Sequence, residues 1–350
     1  MPEEMTAAVL TAHGGPEVLE VRSVPVPAPG PGELLVRVRA AALNNTDVWT
    51  RQGAYGLPGD PDALAGWRGP VAFPRIQGGD IAGVVAAVGD GVDPARVGRR
   101  VLVDPGFYDG DGPDAQPVGL LGSEADGGFA GYVVAADVRA HDVEASPLRD
   151  EELACLPVAY GTAAGMLARG RIGDGETVLV TGSSGGVGLA AVQLAAARGA
   201  RVVALTAPGK EEAVRQAGAA EIVLRGAAPE AVAEAVGHAA GGPLDAVVDV
   251  VGGPLLPAML AGVRDGGRWV VAGALGGAVV DLDLRRLYLH NVSLVGSSMH
   301  TPTHFAELVA DAVAGRVRPV VAGCHPLTAI HAAQEEFSRG EHVGKIVVTP

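Results

Sequence analysis

Residues 177–188 read Thr177-Val178-Leu179-Val180-Thr181-Gly182-Ser183-Ser184-Gly185-Gly186-Val187-Gly188. The apolar run predicts a strand, the glycines a tight turn, and the Ala-, Val- and Leu-rich stretch from Gly186 to Arg198 a helix. That succession suits a pyrophosphate: glycine lets the backbone approach closely, and the unpaired N–H groups of a helix start favour an anion. Gly188 is expected to let helix and strand pack tightly. Gly182, Ser183, Ser184, Gly185, Gly186, Val187 and Gly188 are therefore candidates for binding a dinucleotide.

Downstream, apolar runs recur at Val202-Val203-Ala204-Leu205, Ala246-Val247-Val248-Asp249-Val250 and Trp269-Val270-Val271-Ala272, with helical stretches between them. This rhythm predicts an α/β domain, a doubly wound parallel sheet with helices on both faces, in which ligands gather at the carboxyl ends of strands. Val250 and Gly273 stand at two such ends and are expected beside the cofactor, with Asp249 in a structural role. Upstream, Leu34–Val38, Ile81–Val85, Arg100–Val103 and Tyr132–Val134 are short β-branched runs punctuated by turn residues, which predicts an all-β barrel or sandwich. The tail ends in Gly344-Lys345-Ile346-Val347-Val348, a strand expected to return to the first domain. The expected domains are residues 1–153 with 299–350, and residues 154–298.

A formal net charge of −14 argues against a nucleic-acid partner, since that affinity rests on clustered Lys and Arg. No stretch approaches the ~20 apolar residues of a membrane span. The opening Met1-Pro2-Glu3-Glu4 lacks the features of a secretory signal, and two cysteines, Cys155 and Cys324, are too few for a disulfide framework. A cytoplasmic protein acting on a small molecule is expected.

The second strand ends in Leu205-Thr206-Ala207-Pro208-Gly209-Lys210, without the carboxylate that would bind a ribose 2′-hydroxyl. A hydroxyl and a cation suit a 2′-phosphate instead, so NADPH is expected, with Thr206, Lys210 and Arg225 as candidates. The glycine run also fits a short-chain dehydrogenase, which needs a Tyr four residues before a Lys. The only lysines, Lys210 and Lys345, are preceded at that distance by Thr206 and Glu341, so this class is excluded.

Several segments in order resemble the medium-chain dehydrogenase/reductase superfamily over nearly the whole chain. They are Gly15-Pro16-Glu17-Val18-Leu19, Pro31-Gly32-Glu33-Leu34-Leu35-Val36, Ala42-Leu43-Asn44-Asn45-Thr46-Asp47 with Arg51-Gln52-Gly53, Gly78-Gly79-Asp80-Ile81-Ala82-Gly83, Gly161-Thr162-Ala163 and His342-Val343-Gly344-Lys345-Ile346-Val347. The resemblance implies a GroES-like β-barrel catalytic domain and a Rossmann domain. Where zinc members carry a Cys this chain has Asn45 or its neighbour. Where they carry Gly-His-Glu it has Gly78-Gly79-Asp80, and the Gly106–Asp114 loop lacks the cysteines of a structural zinc lobe. The implied branch is the zinc-free quinone oxidoreductases, in which hydride passes to a quinone or an α,β-unsaturated carbonyl and hydrogen-bond donors stabilise the developing charge. No metal is expected, since only Asp47, Asp80 and Cys155 remain as distant ligand candidates. His300 and His304 are expected on a solvated helix start.

By the same resemblance Asn44 and Thr162 would donate to the substrate oxygen, Tyr55 would donate or pass a proton, and Trp49 would supply an apolar wall. Tyr160 is an alternative donor lining the substrate site. The Gly56–Phe73 loop, with Trp67 and Arg68, departs from compact quinone reductases. Asn291–Gly296 matches a strand that pairs across a homodimer in many members. A zinc-type alcohol dehydrogenase relative and a non-catalytic NADPH-binding protein are the alternative readings.

Overall fold

The computed structural model describes every residue from Met1 to Pro350 except Pro58 and Pro61. The chain divides into two compact units, Met1–Val158 with Thr301–Pro350, and Ala159–His300.

In the first unit β1 (Glu4–Leu10), β2 (Leu19–Pro25) and β3 (Glu33–Ala42) precede helix α1 (Asn45–Gln52). Along β3, Val36 and Val38 are buried while Arg37 and Arg39 are exposed, a period-two stretch with one wet face between Leu34-Leu35 and Ala40-Ala41-Ala42, which are buried on both faces. β4 (Arg75–Ile76) adds to β1. Then come β5 (Asp80–Val88), β6 (Arg100–Val103), a hairpin of β7 (Gly106–Tyr108) and β8 (Pro117–Leu120), β9 (Tyr132–Ala136), β10 (Ala140–Asp142) and helix α2 (Asp150–Leu153).

The second unit begins with α3 (Gly161–Arg169) and alternates strand with helix: β11 (Thr177–Val180), α4 (Gly186–Ala197), β12 (Arg201–Thr206), α5 (Glu211–Gln216), β13 (Glu221–Leu224), α6 (Pro229–Ala240), β14 (Leu244–Asp249), α7 (Leu255–Met259), β15 (Val263–Val271), α8 (Arg285–Tyr288) and β16 (Ser293–Gly296). All its strand pairs are parallel, in the order β13-β12-β11-β14-β15-β16. The order reverses at β11, and ligands of doubly wound folds bind at such a switch point. The core holds Leu179, Val203, Leu205, Val247 and the fully buried Trp269.

The chain returns to the first unit as α9 (Pro302–Val313), β17 (Val321–Pro326), α10 (Ile330–Arg339) and β18 (Lys345–Thr349). β18 joins β3, as the apolar tail predicts, and completes a sheet ordered β10-β6-β5-β3-β18-β17, with β9 also on β3. Among the described residues the end strands β10 and β17 do not pair with each other. Ala42 faces Asp80 of β5 and Val347 of β18 in register. Two distant parts of the chain thus meet where β3 gives way to α1.

Candidate functional site

In the second unit the glycine loop has the geometry its sequence predicts. Gly182 has φ +57°, a left-handed conformation that residues with a Cβ adopt at a cost. At Gly188 a Cβ would stand 2.1 Å from the Gly182 carbonyl oxygen, so only glycine permits this approach of helix to loop. Helix α4 begins after an extended Gly185 that supplies no side-chain cap, leaving its first-turn N–H groups for an anion. Ser183 turns inward: its N–H and hydroxyl both donate to the Leu205 carbonyl, at 3.2 and 2.9 Å, tying the loop to β12.

At the end of β12, Thr206 is buried and its hydroxyl has no hydrogen-bond partner. A buried orphan hydroxyl is costly unless a ligand completes it. The Arg225 N–H donates to the Thr206 carbonyl at 2.8 Å, which brings the exposed Arg225 beside it, and the half-buried Lys210 precedes α5. The glycine cradle and the orphan hydroxyl at the end of β12 fit a nicotinamide dinucleotide.

Asp249 is a structural tie. Its carboxylate accepts from the Thr181 hydroxyl (2.6 Å), the Val251 and Gly252 N–H groups (2.9 and 3.0 Å) and the Trp269 indole (3.0 Å), while the Val250 N–H donates to Thr181 Oγ1 at 3.1 Å. At Gly273 a Cβ would stand 2.5 Å from the Val250 carbonyl oxygen, so these two strand ends are packed backbone to backbone. Thr162, 7% exposed, lies in the first turn of α3. Tyr160, 2% exposed, ends a π-helical turn before it.

His300 corrects an expectation: it is fully buried rather than solvated, and Gly161 makes room for it, since a Cβ there would stand 2.2 Å from its Nδ1. His304 does lie at a helix start, in a capping box with Thr301.

In the first unit the register of β3, β5 and β18 builds a closed polar network. The Lys345 ammonium, 4% exposed, donates to Asp80 Oδ2 (2.8 Å), the Leu43 carbonyl (2.7 Å) and Asn44 Oδ1. The Asn44 amide donates to Asp80 Oδ2 at 2.8 Å, and the Val158 N–H to Asp80 Oδ1 at 2.6 Å. Both ends of the Asn44 side chain are therefore engaged inside the protein. Asp47 closes the first turn of α1 by accepting the Asn44 N–H at 2.8 Å, and burial pushes its carboxyl up to about 7. Burial likewise pushes the Cys155 thiol up to about 12.

Trp49 and Tyr55 come together on α1 and the segment after it, ring edge to face with centroids 5.8 Å apart. The Tyr55 hydroxyl lies 2.6 Å from Thr46 Oγ1, and burial pushes the phenol up to about 12, so it is protonated at neutral pH. Thr46 was missed in the sequence reading, although its place between Asn44 and Asp47 on the first turn of α1 could have suggested it.

A zinc site does not fit these residues. Among the described residues no three His, Cys, Asp or Glu side chains are placed to hold a metal ion, and Asp80 is bound to Lys345 instead. Asp104, ahead of the cysteine-free hairpin, accepts from the Gly106 N–H (3.0 Å) and the Tyr108 hydroxyl (2.9 Å), and Arg139 lies 4.7 Å over the Tyr108 ring.

One unit with a parallel sheet carrying a glycine cradle at its switch point, and a second, β-rich unit with a half-buried hydroxyl pair, define the class of two-domain nucleotide-dependent oxidoreductases. Two family models match the chain, the alcohol dehydrogenase GroES-like domain over residues 30–145 and the zinc-binding dehydrogenase over residues 186–314. Quinone oxidoreductase of Mus musculus is 31% identical, covering 98% of this chain and 97% of its own. Acryloyl-coenzyme A reductase of Metallosphaera sedula is 30% identical over 99% and 100%. A crystal structure of a candidate alcohol dehydrogenase from Sinorhizobium meliloti 1021 superposes with a TM-score of 0.96 at 48% identity, over 100% of this chain and 98% of that one. The chain belongs to the medium-chain dehydrogenase/reductase superfamily.

Proposed function

We propose that this oxidoreductase is a zinc-independent, NADPH-dependent reductase of quinones or α,β-unsaturated carbonyl compounds. The observation that carries the reading is the pairing of a protonated Tyr55 with Thr46, in a unit where Asp80, the residue at the position of the zinc members' Gly-His-Glu, is locked to Lys345. Without a Lewis acid, the acceptor must be one that takes hydride readily, and charge on its oxygen must meet hydrogen-bond donors. The quinone oxidoreductase and acryloyl-coenzyme A reductase relatives support the same class.

The glycine loop from Gly182 to Gly188 would hold the pyrophosphate, Val250 and Gly273 would flank the cofactor, and Thr206, Lys210 and Arg225 would hold the 2′-phosphate. NADPH, when bound, supplies the hydride. As hydride adds to the β-carbon of an enone, the π pair moves onto the carbonyl oxygen, where Thr162 or Tyr55 donates. The enolate then re-forms its carbonyl as the α-carbon takes the Tyr55 proton, and the tyrosinate regains a proton from solvent relayed by the Thr46 hydroxyl. Trp49 and Tyr160 line the apolar part of the substrate site in this reading. Asn44, with both ends of its amide engaged, acts by holding α1 rather than by touching substrate.

NADPH oxidation with a quinone, an enone and an aldehyde, alongside metal analysis of the same sample, tests the reading. Turnover of quinone or enone without stoichiometric zinc is expected; turnover of aldehyde alone, or a dependence on zinc, would overturn it. We further propose a cytoplasmic homodimer. No helix among the described residues is long and apolar enough to cross a membrane, Cys155 and Cys324 are both free thiols, and β16 lies at a sheet edge.

A further inference from the structure

Trp67 and Arg68 lie on the loop between Gly56 and Phe73, whose Pro58 and Pro61 fall outside the described residues. The loop is docked on the segment that carries Tyr55: the Ala65 N–H donates to the Gly53 carbonyl at 3.0 Å, and Ala54 and Ala65 form a β-bridge. Its tip is held from the other side. The Trp67 N–H donates to Ser123 Oγ at 3.4 Å and the Arg68 N–H to Glu124 Oε1 at 3.2 Å. Glu124 also accepts from Ser123 Oγ and from the Leu120 N–H, and its charge is close enough to Tyr55 to help raise the phenol's pKa.

Glu124 thus binds the backbone of Arg68, not its guanidinium. Arg68 is exposed, its guanidinium forms no ion pair among the described residues, and its central carbon stands 5.3 Å over the Trp67 ring. A guanidinium held over an indole face is attracted by the ring and, with no carboxylate among the described residues paired to it, keeps its N–H groups for a carboxylate or phosphate, which such a fork takes at two points. The loop tip thus carries a cation on a backbone that is hydrogen-bonded to Ser123 and Glu124 and joined to the proton-donor segment, in a chain with a formal charge of −14.

We propose that Arg68, held over the Trp67 ring, is an anion-holding subsite, and that the substrate is an enone or enoyl compound carrying a carboxylate or phosphate away from its reacting double bond. This rests on the reductase reading above and names its substrate class. The anion is either the carboxylate of a small enone acid or a phosphate of a coenzyme A thioester, and one experiment separates the two.

kcat/KM is measured with NADPH for two matched pairs: 4-carboxybenzalacetone against benzalacetone, and crotonyl-coenzyme A against crotonyl-N-acetylcysteamine. Wild type, Arg68→Gln and Arg68→Lys are compared, with NADPH affinity as a check on folding. The anionic member of one pair should be preferred by wild type, and Arg68→Gln should lower that anionic-to-neutral ratio by about 10- to 100-fold, the worth of a hydrogen bond to a charged group. Arg68→Lys should recover only part of it, because an ammonium neither forks nor stacks flat. The pair that responds identifies the source of the anion. Turnover with no preference for charge in either pair, or equal losses on both members of a pair, overturns the subsite alone. Absence of turnover for all four compounds, with NADPH still bound, overturns the reductase reading and the subsite with it.

Discussion

Asp47 and Tyr55 sit on the same short stretch of chain and are both pushed upward by burial, with opposite consequences for what they can do. Tyr55, at about 12, keeps its proton across the neutral range, so it can donate. Replacing it with Phe should lower kcat for an enone by roughly 100-fold or more, the lower end of what general-acid catalysis contributes. NADPH binding should be unaffected, because the cofactor loop lies in the other unit; an unchanged kcat would assign protonation to solvent. Asp47, at about 7, binds its proton more tightly folded than unfolded. Between pH ~4 and ~7 the folded state therefore holds more protons, and stability falls as pH rises through that window, by on the order of 4 kcal/mol over the whole shift. Asp80 and Lys345 act on the same carboxyl with opposite signs, and the Asn44 N–H favours its charged form. Asp47→Asn keeps an oxygen for the Asn44 N–H and removes the charge. Denaturant melts should show it matching wild type near pH 4, exceeding it near pH 8, and losing most of the pH slope. The same slope in both proteins would mean that Asp47 is ionised in the fold at a normal pKa.

The elements that meet around Asn44 are joined by one buried ion pair. Removing one partner of such a pair typically costs about 3–5 kcal/mol, because the other charge is left buried and alone. Lys345→Met and Asp80→Asn should each destabilise by that order, and the double variant by clearly less than the sum; additive losses in thermal melts would show that the two residues are not coupled. In the second unit, Gly188→Ala would force the helix away from Gly182 and should weaken NADPH binding by at least tenfold, as read by fluorescence titration. The glycine loop, the alternation of strand and helix, and the pattern of β3 were legible in sequence because each rests on local periodicity and turn chemistry. The Lys345–Asp80–Asn44 network was not. It depends on the registers of β3 with β5 and β18, which bring together residues at opposite ends of the chain, and a lone lysine before an apolar run carries no mark of its partner. His300 was misread for a related reason: a polar residue next to a helix start is usually wet, and only the space left by Gly161 reveals otherwise. Thr46 escaped notice because a threonine in a first helical turn already has a local explanation.

For the molecule as a whole, the open question is what covers the edge of the second sheet. β16 pairs with β15 on one side and, among the described residues, with nothing on the other. Leu294 of that strand is 40% exposed, and Leu284, Tyr288 and Leu289 just before it are exposed as well. A strand edge flanked by apolar side chains is a template for another strand unless charge or proline guards it, and residues 293–296 (Ser293-Leu294-Val295-Gly296) contain neither. A second copy of the same strand related by a two-fold axis satisfies the edge and buries the apolar residues in one closed interface. Sedimentation equilibrium at micromolar concentration should therefore find a dimer. Leu294→Glu should place two like charges at the axis and shift the protein toward monomer, with the glycine loop intact and NADPH affinity retained. A monomeric wild type would leave this edge to some other cover, and a dimer that tolerates Leu294→Glu would place the interface elsewhere on the surface.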